Sequence, residues 1–296
     1  MNQINDQNDE NVKNQKESPM FTTIVVPLDL EPAGDRALPV AAALARTAGV
    51  RLELVTVSSP NLNEASDIEE LRRRAETYSD PAHAPATHVV HDNDPAAALV
   101  AFLADRPGAL VVMGTRARSP LGEFLLGSVS EELLTHTQLP VLLVGPHASV
   151  QNWSGSPTLV AGVDGSEVSK ALLPTLVAWK ASFGGPRPWL VEVLPVPREA
   201  APHPDVADTA DVHRLASTFA DKGLDTDWDV AHAKHPAEAL IDFADRVEDA
   251  VIAVASVRWT DPHHAHRTSV ARQLAHEAHH PVLVVPADPA RLTAAQ

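Results

Sequence analysis

The sequence predicts an α/β protein of two tandem domains, each an open five-stranded parallel sheet with helices on both faces. Three observations predict it. The second half of the chain repeats the first. Each half alternates short apolar runs with amphipathic stretches. The apolar runs are nearly continuous, as in parallel strands covered on both sides, rather than alternating as in a strand with one wet face.

The repeat is visible in the residues. Pro95, Ala96, Leu99 and Phe102 recur as Pro236, Ala237, Leu240 and Phe243. LPVLLVGP at 139–146 recurs as HPVLVVPA at 280–287, and counting back from its prolines sets Thr268-Ser269 on Gly127-Ser128 without a gap. Repetition over this length means duplicated domains rather than a solenoid of short units.

The first half opens with an apolar run at Thr23–Leu28, expected as a buried strand. Ala33–Ala48 has helical periodicity, with Gly49 as its stop. Arg51–Val57 reads as the second strand, Glu64–Tyr78 as a polar amphipathic helix, and Thr87–His91 as the third strand. A helix over Pro95–Asp105 follows, with Asp94 as N-cap. Leu110–Met113 is the fourth strand, Val129–Thr137 a helix, and Val141–Val144 the last strand. The second half repeats this plan, with strands expected at Thr158–Val163, Trp189–Leu194, Thr226–Ala231, Ala250–Ala255 and Val282–Val285.

Composition narrows the rest. A chain of 296 residues, 44% of them hydrophobic, suits two ordinary domains with normal cores. A formal net charge of -16 argues against nonspecific nucleic-acid binding, which relies on Lys and Arg. The absence of cysteine excludes disulfides, thiolate metal sites and cysteine nucleophiles. No apolar run approaches the ~20 residues that span a bilayer, and the polar first 19 residues lack a signal-peptide core. The expectation is a cytoplasmic protein, without membrane or nucleic-acid partners. Its parts are a disordered tail (1–19), a first domain (20–147), a linker (148–157), a second domain (158–287) and a short tail (288–296).

The chemistry concentrates between Leu110 and Val144. A strand breaks at Gly114, a long loop carries Arg116 and Arg118, and Gly127-Ser128 leads into a helix. A helix start presents unpaired N–H groups and partial positive charge, so it can hold an anion. Ser128 has a rival role, because Ser128-x-x-Glu131 is a capping-box pattern that would fold Glu131 back towards the helix start.

This stretch resembles the nucleotide loop of the universal stress protein family, whose ATP-binding members carry G-x2-G-x9-G-[S/T]. Gly114 and Gly127-Ser128 fall on the outer elements at that spacing, and Ala117 stands at the middle glycine. If that position needs φ > 0, alanine costs on the order of 1 kcal/mol; if glycine serves only close approach, one methyl is tolerable. The resemblance implies Rossmann-like domains of the adenine nucleotide alpha hydrolase-like kind. It implies ATP or a related adenine nucleotide, with or without Mg2+, as ligand. It places Pro27, Leu28, Asp29, Val57 and Met113 around the adenine. Gly114, Ala117, Gly127, Ser128, Val129 and Ser130 fall near ribose and phosphates, and Arg116 of the same loop is a further nucleotide-binding candidate. It also implies that the last strand of each half meets the other in an intrachain pseudo-dimer, and that chains can pair further as homodimers.

The halves are unequally equipped. Asp164 matches Asp29, but Ala255, Arg258 and Thr268 replace the glycines in the second half. One nucleotide site, in the first half, is therefore expected. Asp29 also has a plain alternative, as a cap for the turn that follows it. Two functions stay open: a nucleotide-binding stress-response regulator, or a universal stress protein that binds no nucleotide and works as an oligomeric scaffold. No catalytic constellation is arguable, so an enzyme is not expected, slow ATP hydrolysis aside. His276 and His280 have a metal-compatible helical spacing, and further histidines stand at 263, 264 and 266, without a recognisable metal motif.

Overall fold

The computed structural model describes residues 21–59, 64–79, 84–115, 127–150, 153, 155–196, 209–257 and 269–287. Both expected tails, the loop residues Arg116, Ala117 and Arg118, and the positions Arg258, His263, His264, His266 and Thr268 lie outside these residues.

The first half contains strands β1 (Thr23–Pro27), β2 (Arg51–Ser58), β3 (Ala86–His91), β4 (Ala109–Gly114) and β5 (Val141–Val144). Its helices are α1 (Ala37–Ala48), α2 (Glu64–Thr77), α3 (Pro95–Ala104) and α4 (Ser128–His136). The second half contains strands β6 (Thr158–Val163), β7 (Trp189–Leu194), β8 (Asp227–His232), β9 (Ala250–Val257) and β10 (Val282–Ala287). Its helices among the described residues are α5 (Glu167–Lys170), α6 (Leu172–Phe183), α7 (Ala210–Asp221), α8 (Pro236–Ala244) and α9 (Val270–Glu277).

Strand order is β3-β2-β1-β4-β5-β10-β9-β6-β7-β8 in one continuous sheet. Among the described residues pairing is parallel within each half and antiparallel only at the seam, where β5 meets β10. Each last strand thus covers the edge that the other would expose to solvent, a placement that removes two adhesive edges from the surface.

Alternate strand residues enter opposite cores, as a period of two requires. Ile24, Val26, Leu54 and Leu142 share one face with α1, α2, α6 and α7, whereas Val25, Val55, Val111 and Leu143 share the other with α3, α4, α8 and α9. Both cores run across the seam. Phe21 from the first half stacks on Phe183 of α6, with ring centroids 5.7 Å apart, and meets Trp179 edge-on.

Several local expectations are corrected. The helix expected from Ala33 begins instead as a 3-10 turn over Gly34–Arg36. Pro39 stands in the first turn of α1, where its missing N–H is harmless; one turn further in it would break the ladder. β8 is displaced by one residue from the expected Thr226–Ala231. β10 continues through Pro286 to Ala287, in register with the end of β9. Asp94 caps α3 as expected, accepting from the Ala97 N–H at 3.0 Å. His280 lies beyond the end of α9, so His276 and His280 do not share a helix face. His276 is buried, while His279 and His280 both pair with Asp245.

Candidate functional site

A cavity of about 280 Å3 opens beyond the carboxyl ends of β1, β2 and β4. It lies where the order of strands reverses, β2 leaving β1 on one side and β4 on the other. Open parallel sheets leave such a crevice because the two crossover helices lie on opposite faces. The volume is close to the lower end of small-molecule pockets, roughly 300–1,000 Å3.

One end of the cavity is apolar. Pro27 and Leu28 come from the end of β1, Val55 and Val57 from β2, and Met113 from β4. Pro95 and Leu99, one turn apart on α3, add to the apolar lining. The other end is polar, formed by Gly127 and the first turn of α4 with Ser128, Val129 and Ser130. Asp29 and Gly34, in the turn after β1, complete the lining, and Asp29 is the ionisable residue among the described lining.

The turn after β1 is held from two sides. Asp29 Oδ1 accepts the Glu31 N–H at 3.0 Å, so the carboxylate shapes the turn. Leu30 sits at φ 62, an uncommon conformation for a branched residue. The buried Arg74 of α2 secures it, donating to the Leu30 carbonyl at 2.7 Å and to Asp35 Oδ1 at 2.6 Å. Glu70 joins the same guanidinium, and with Arg73 and Arg74 beside it its carboxyl falls to about 2. One wall of the cavity therefore depends on a side chain that never touches it.

The two glycines differ in purpose. A Cβ at Gly114 would stand 2.7 Å from the Ala33 carbonyl oxygen and 3.0 Å from Gly34 Cα. Gly114 is therefore needed so that the turn after β1 can cross the end of β4. Gly127 has φ 92, and its nearest neighbour to an added Cβ is Ser130 Oγ at 3.9 Å. Space is open there; the backbone conformation requires glycine.

Gly127 is also the N-cap of α4, which corrects the capping reading of Ser128. Ser128 is already the first helical residue, and no side chain caps the helix among the described residues. The Glu131 N–H closes the first turn on the Gly127 carbonyl at 3.0 Å. Its carboxylate does not fold back. It pairs instead with Arg272 of α9, at 3.3 Å. The first-turn residues Ser128, Val129 and Ser130 thus line the cavity at a helix start without a side-chain cap, where unpaired N–H groups can bind an anion.

The second half is built differently at the matching place. Asp164 matches Asp29, but its Oδ1 receives the Ser166 N–H at 3.1 Å, the Ser166 hydroxyl at 2.6 Å and the Ser169 hydroxyl at 2.8 Å. Burial alone would raise that carboxyl, yet these donors outweigh it and hold it below the ordinary value. Gly162 matches Pro27, and Leu240 packs onto it so closely that a Cβ there would lie 2.7 Å from Leu240 Cδ1. In the first half the matching Leu99 lines the cavity instead.

Of the residues expected at the site, Pro27, Leu28, Asp29, Val57, Met113, Gly114, Gly127, Ser128, Val129 and Ser130 line this one cavity. Arg116 and Ala117 lie outside the described residues. Gly34, Val55, Pro95 and Leu99 were missed. Strand periodicity carried a signal for Val55, which shares a face with Val57 two residues on. Pro95 and Leu99 could be found only by knowing that α3 docks against β2 and α4.

Comparison with known proteins bears on the family and the fold. The model of the universal stress protein family matches residues 20–145. A Thermus aquaticus protein described as "Universal stress protein in QAH/OAS sulfhydrylase 3'region" is 35% identical over 136 residues, 42% of this chain and 99% of its own length. A universal stress protein of Mycolicibacterium smegmatis is 52% identical over 44 residues, 14% of this chain and 34% of its own length. The crystal structure of a universal stress protein from Archaeoglobus fulgidus superposes with a TM-score of 0.66, covering 90% of this chain and 98% of that one. At 16% identity that likeness concerns the fold alone. The fold, the loop glycines and a relative matched over nearly its whole length agree: this chain belongs to the universal stress protein family.

Proposed function

We propose that the first half binds an adenine nucleotide, ATP above all, and that the chain acts as a ligand-responsive regulator in the stress response. One observation carries this reading: a single cavity joins an apolar slot at the ends of β1, β2 and β4 to the uncapped start of α4. A flat apolar base suits the slot between Pro27, Val57, Leu99 and Met113, and Asp29 stands where a base amine or a ribose hydroxyl could donate to it. Phosphates suit the N–H groups and hydroxyls from Gly127 to Ser130. Mg2+ would ride on the phosphates, as it commonly does, rather than in a cage of protein ligands.

The reading is of binding rather than turnover, because Asp29 alone among the described lining residues is ionisable and already shapes a turn. It is also of one ligand per chain, since Leu240 lies against Gly162 and Ser166 and Ser169 occupy Asp164. A cytoplasmic setting and further pairing of chains as homodimers belong to the same proposal. Calorimetric titration of the whole protein with Mg-ATP tests it. A stoichiometry near one supports it. Two equal sites would refute the asymmetry, and no heat with any adenine nucleotide would favour a scaffold that binds none.

A further inference from the structure

Glu131 and Arg272 hold the same position in the two repeats, each three residues beyond the aligned Ser128 and Ser269. They meet across the seam, Arg272 Nη2 lying 3.3 Å from Glu131 Oε1. That oxygen is buried and makes no well-aligned hydrogen bond, so the contact is an ion pair. At a two-fold axis equivalent residues face each other. Two copies of the first half would set Glu131 against Glu131, and two copies of the second would set arginine against arginine. Only the tandem chain offers opposite charges at this point.

Glu131 closes the first turn of the helix whose start forms the polar end of the cavity. Glu131 is the acidic residue of that first turn, and an unpaired carboxylate there would compete with a phosphate for the N–H groups and positive potential of the helix start. In this chain it points away: Ser128, Val129 and Ser130 line the cavity and Glu131 does not. We propose that Arg272, supplied by the second half, is a positioning residue for the first half's site: it holds the Glu131 carboxylate off the start of α4 and cancels its charge, so that a polyphosphate is accepted there. The proposal rests on the nucleotide reading of that cavity. It gives the second half a task at the first half's site, although its own loop has lost the glycines.

The test is a calorimetric series with ATP, ADP, AMP and adenosine against wild type, Arg272→Gln and the double variant Arg272→Gln/Glu131→Gln, each checked for folding by thermal melting. Arg272→Gln should weaken ATP binding about three- to thirtyfold, the range that a charge at a helix start commands. The loss should shrink with each phosphate removed and vanish for adenosine. Adding Glu131→Gln should restore ATP affinity, because no carboxylate is then left to compete. An equal loss for ATP and adenosine, or a loss that Glu131→Gln does not relieve, would show a merely structural role and overturn the proposal. Unchanged ATP affinity in a folded Arg272→Gln protein would overturn it alone. A wild type that binds none of the four ligands would overturn the nucleotide reading, and this proposal with it.

Discussion

Leu142 and Leu283 lie directly opposite each other across the antiparallel seam, and they hold the same place in the two repeats. Their neighbours cross over as symmetry demands: Val141 faces Val284, and Leu143 faces Val282. The pseudo-two-fold axis therefore passes between the two leucines. Duplication has placed an interface that two separate chains would form inside one chain, where no concentration is needed to maintain it.

Both leucines are fully buried. Leu142→Ala and Leu283→Ala should each cost about 2–5 kcal/mol, from lost burial and the cavity left behind. Because the two side chains face each other, the double variant should depart from additivity by about 0.5–3 kcal/mol. Urea denaturation followed by circular dichroism measures all three. Additive losses would mean that the strands do not meet in solution.

The two loop glycines should respond differently to alanine. At Gly114 the new methyl meets the Ala33 and Gly34 backbone, which cannot yield as a side chain can. Gly114→Ala should lower the melting temperature markedly. At Gly127 there is room, so Gly127→Ala should cost only about 1 kcal/mol, through its positive φ. Differential scanning calorimetry of the two variants would reverse this account if Gly127→Ala proved the more damaging.

Asp164 should contribute to acid sensitivity. Burial pushes its carboxyl up, and the Ser166 and Ser169 donors bring it down past the ordinary value. The unfolded chain then takes up this proton at a higher pH than the native one. Its stabilisation is fully present above the unfolded pKa of about 3.9 and is lost as the pH falls through the lower native pKa. Asp164→Asn should therefore show a shallower loss of stability on acidification below about pH 5 than wild type. Urea midpoints at stepped pH would record it, and identical slopes would contradict the assigned hydrogen bonds.

Some features were legible from local residues because their causes are local. Asp94 before Pro95 marks a helix start through one side-chain bond to Ala97. Continuous runs such as Leu110-Val111-Val112-Met113 mark strands buried on both faces, and the recurrence of Pro140–Val144 as Pro281–Val285 marks the duplicated edge. Ser128-x-x-Glu131 shows the opposite case. The pattern is a sound local signal for a cap, and the observed cap is Gly127. A partner 141 positions away in the sequence, Arg272, takes the glutamate instead.

By itself, then, the sequence determined the duplication, the parallel sheets, the asymmetry of the two loops and most of the residues around the cavity, because periodicity, turn chemistry and glycine spacing act within a few residues of their cause. Only the tertiary structure decided that Gly114 makes way for the turn after β1, that Leu240 packs onto Gly162 while Leu99 lines a cavity, and that Glu131 faces Arg272. Those outcomes depend on which surfaces the sheet brings together across the switch point and the seam, and such distances are set by packing between elements rather than by any signal within one.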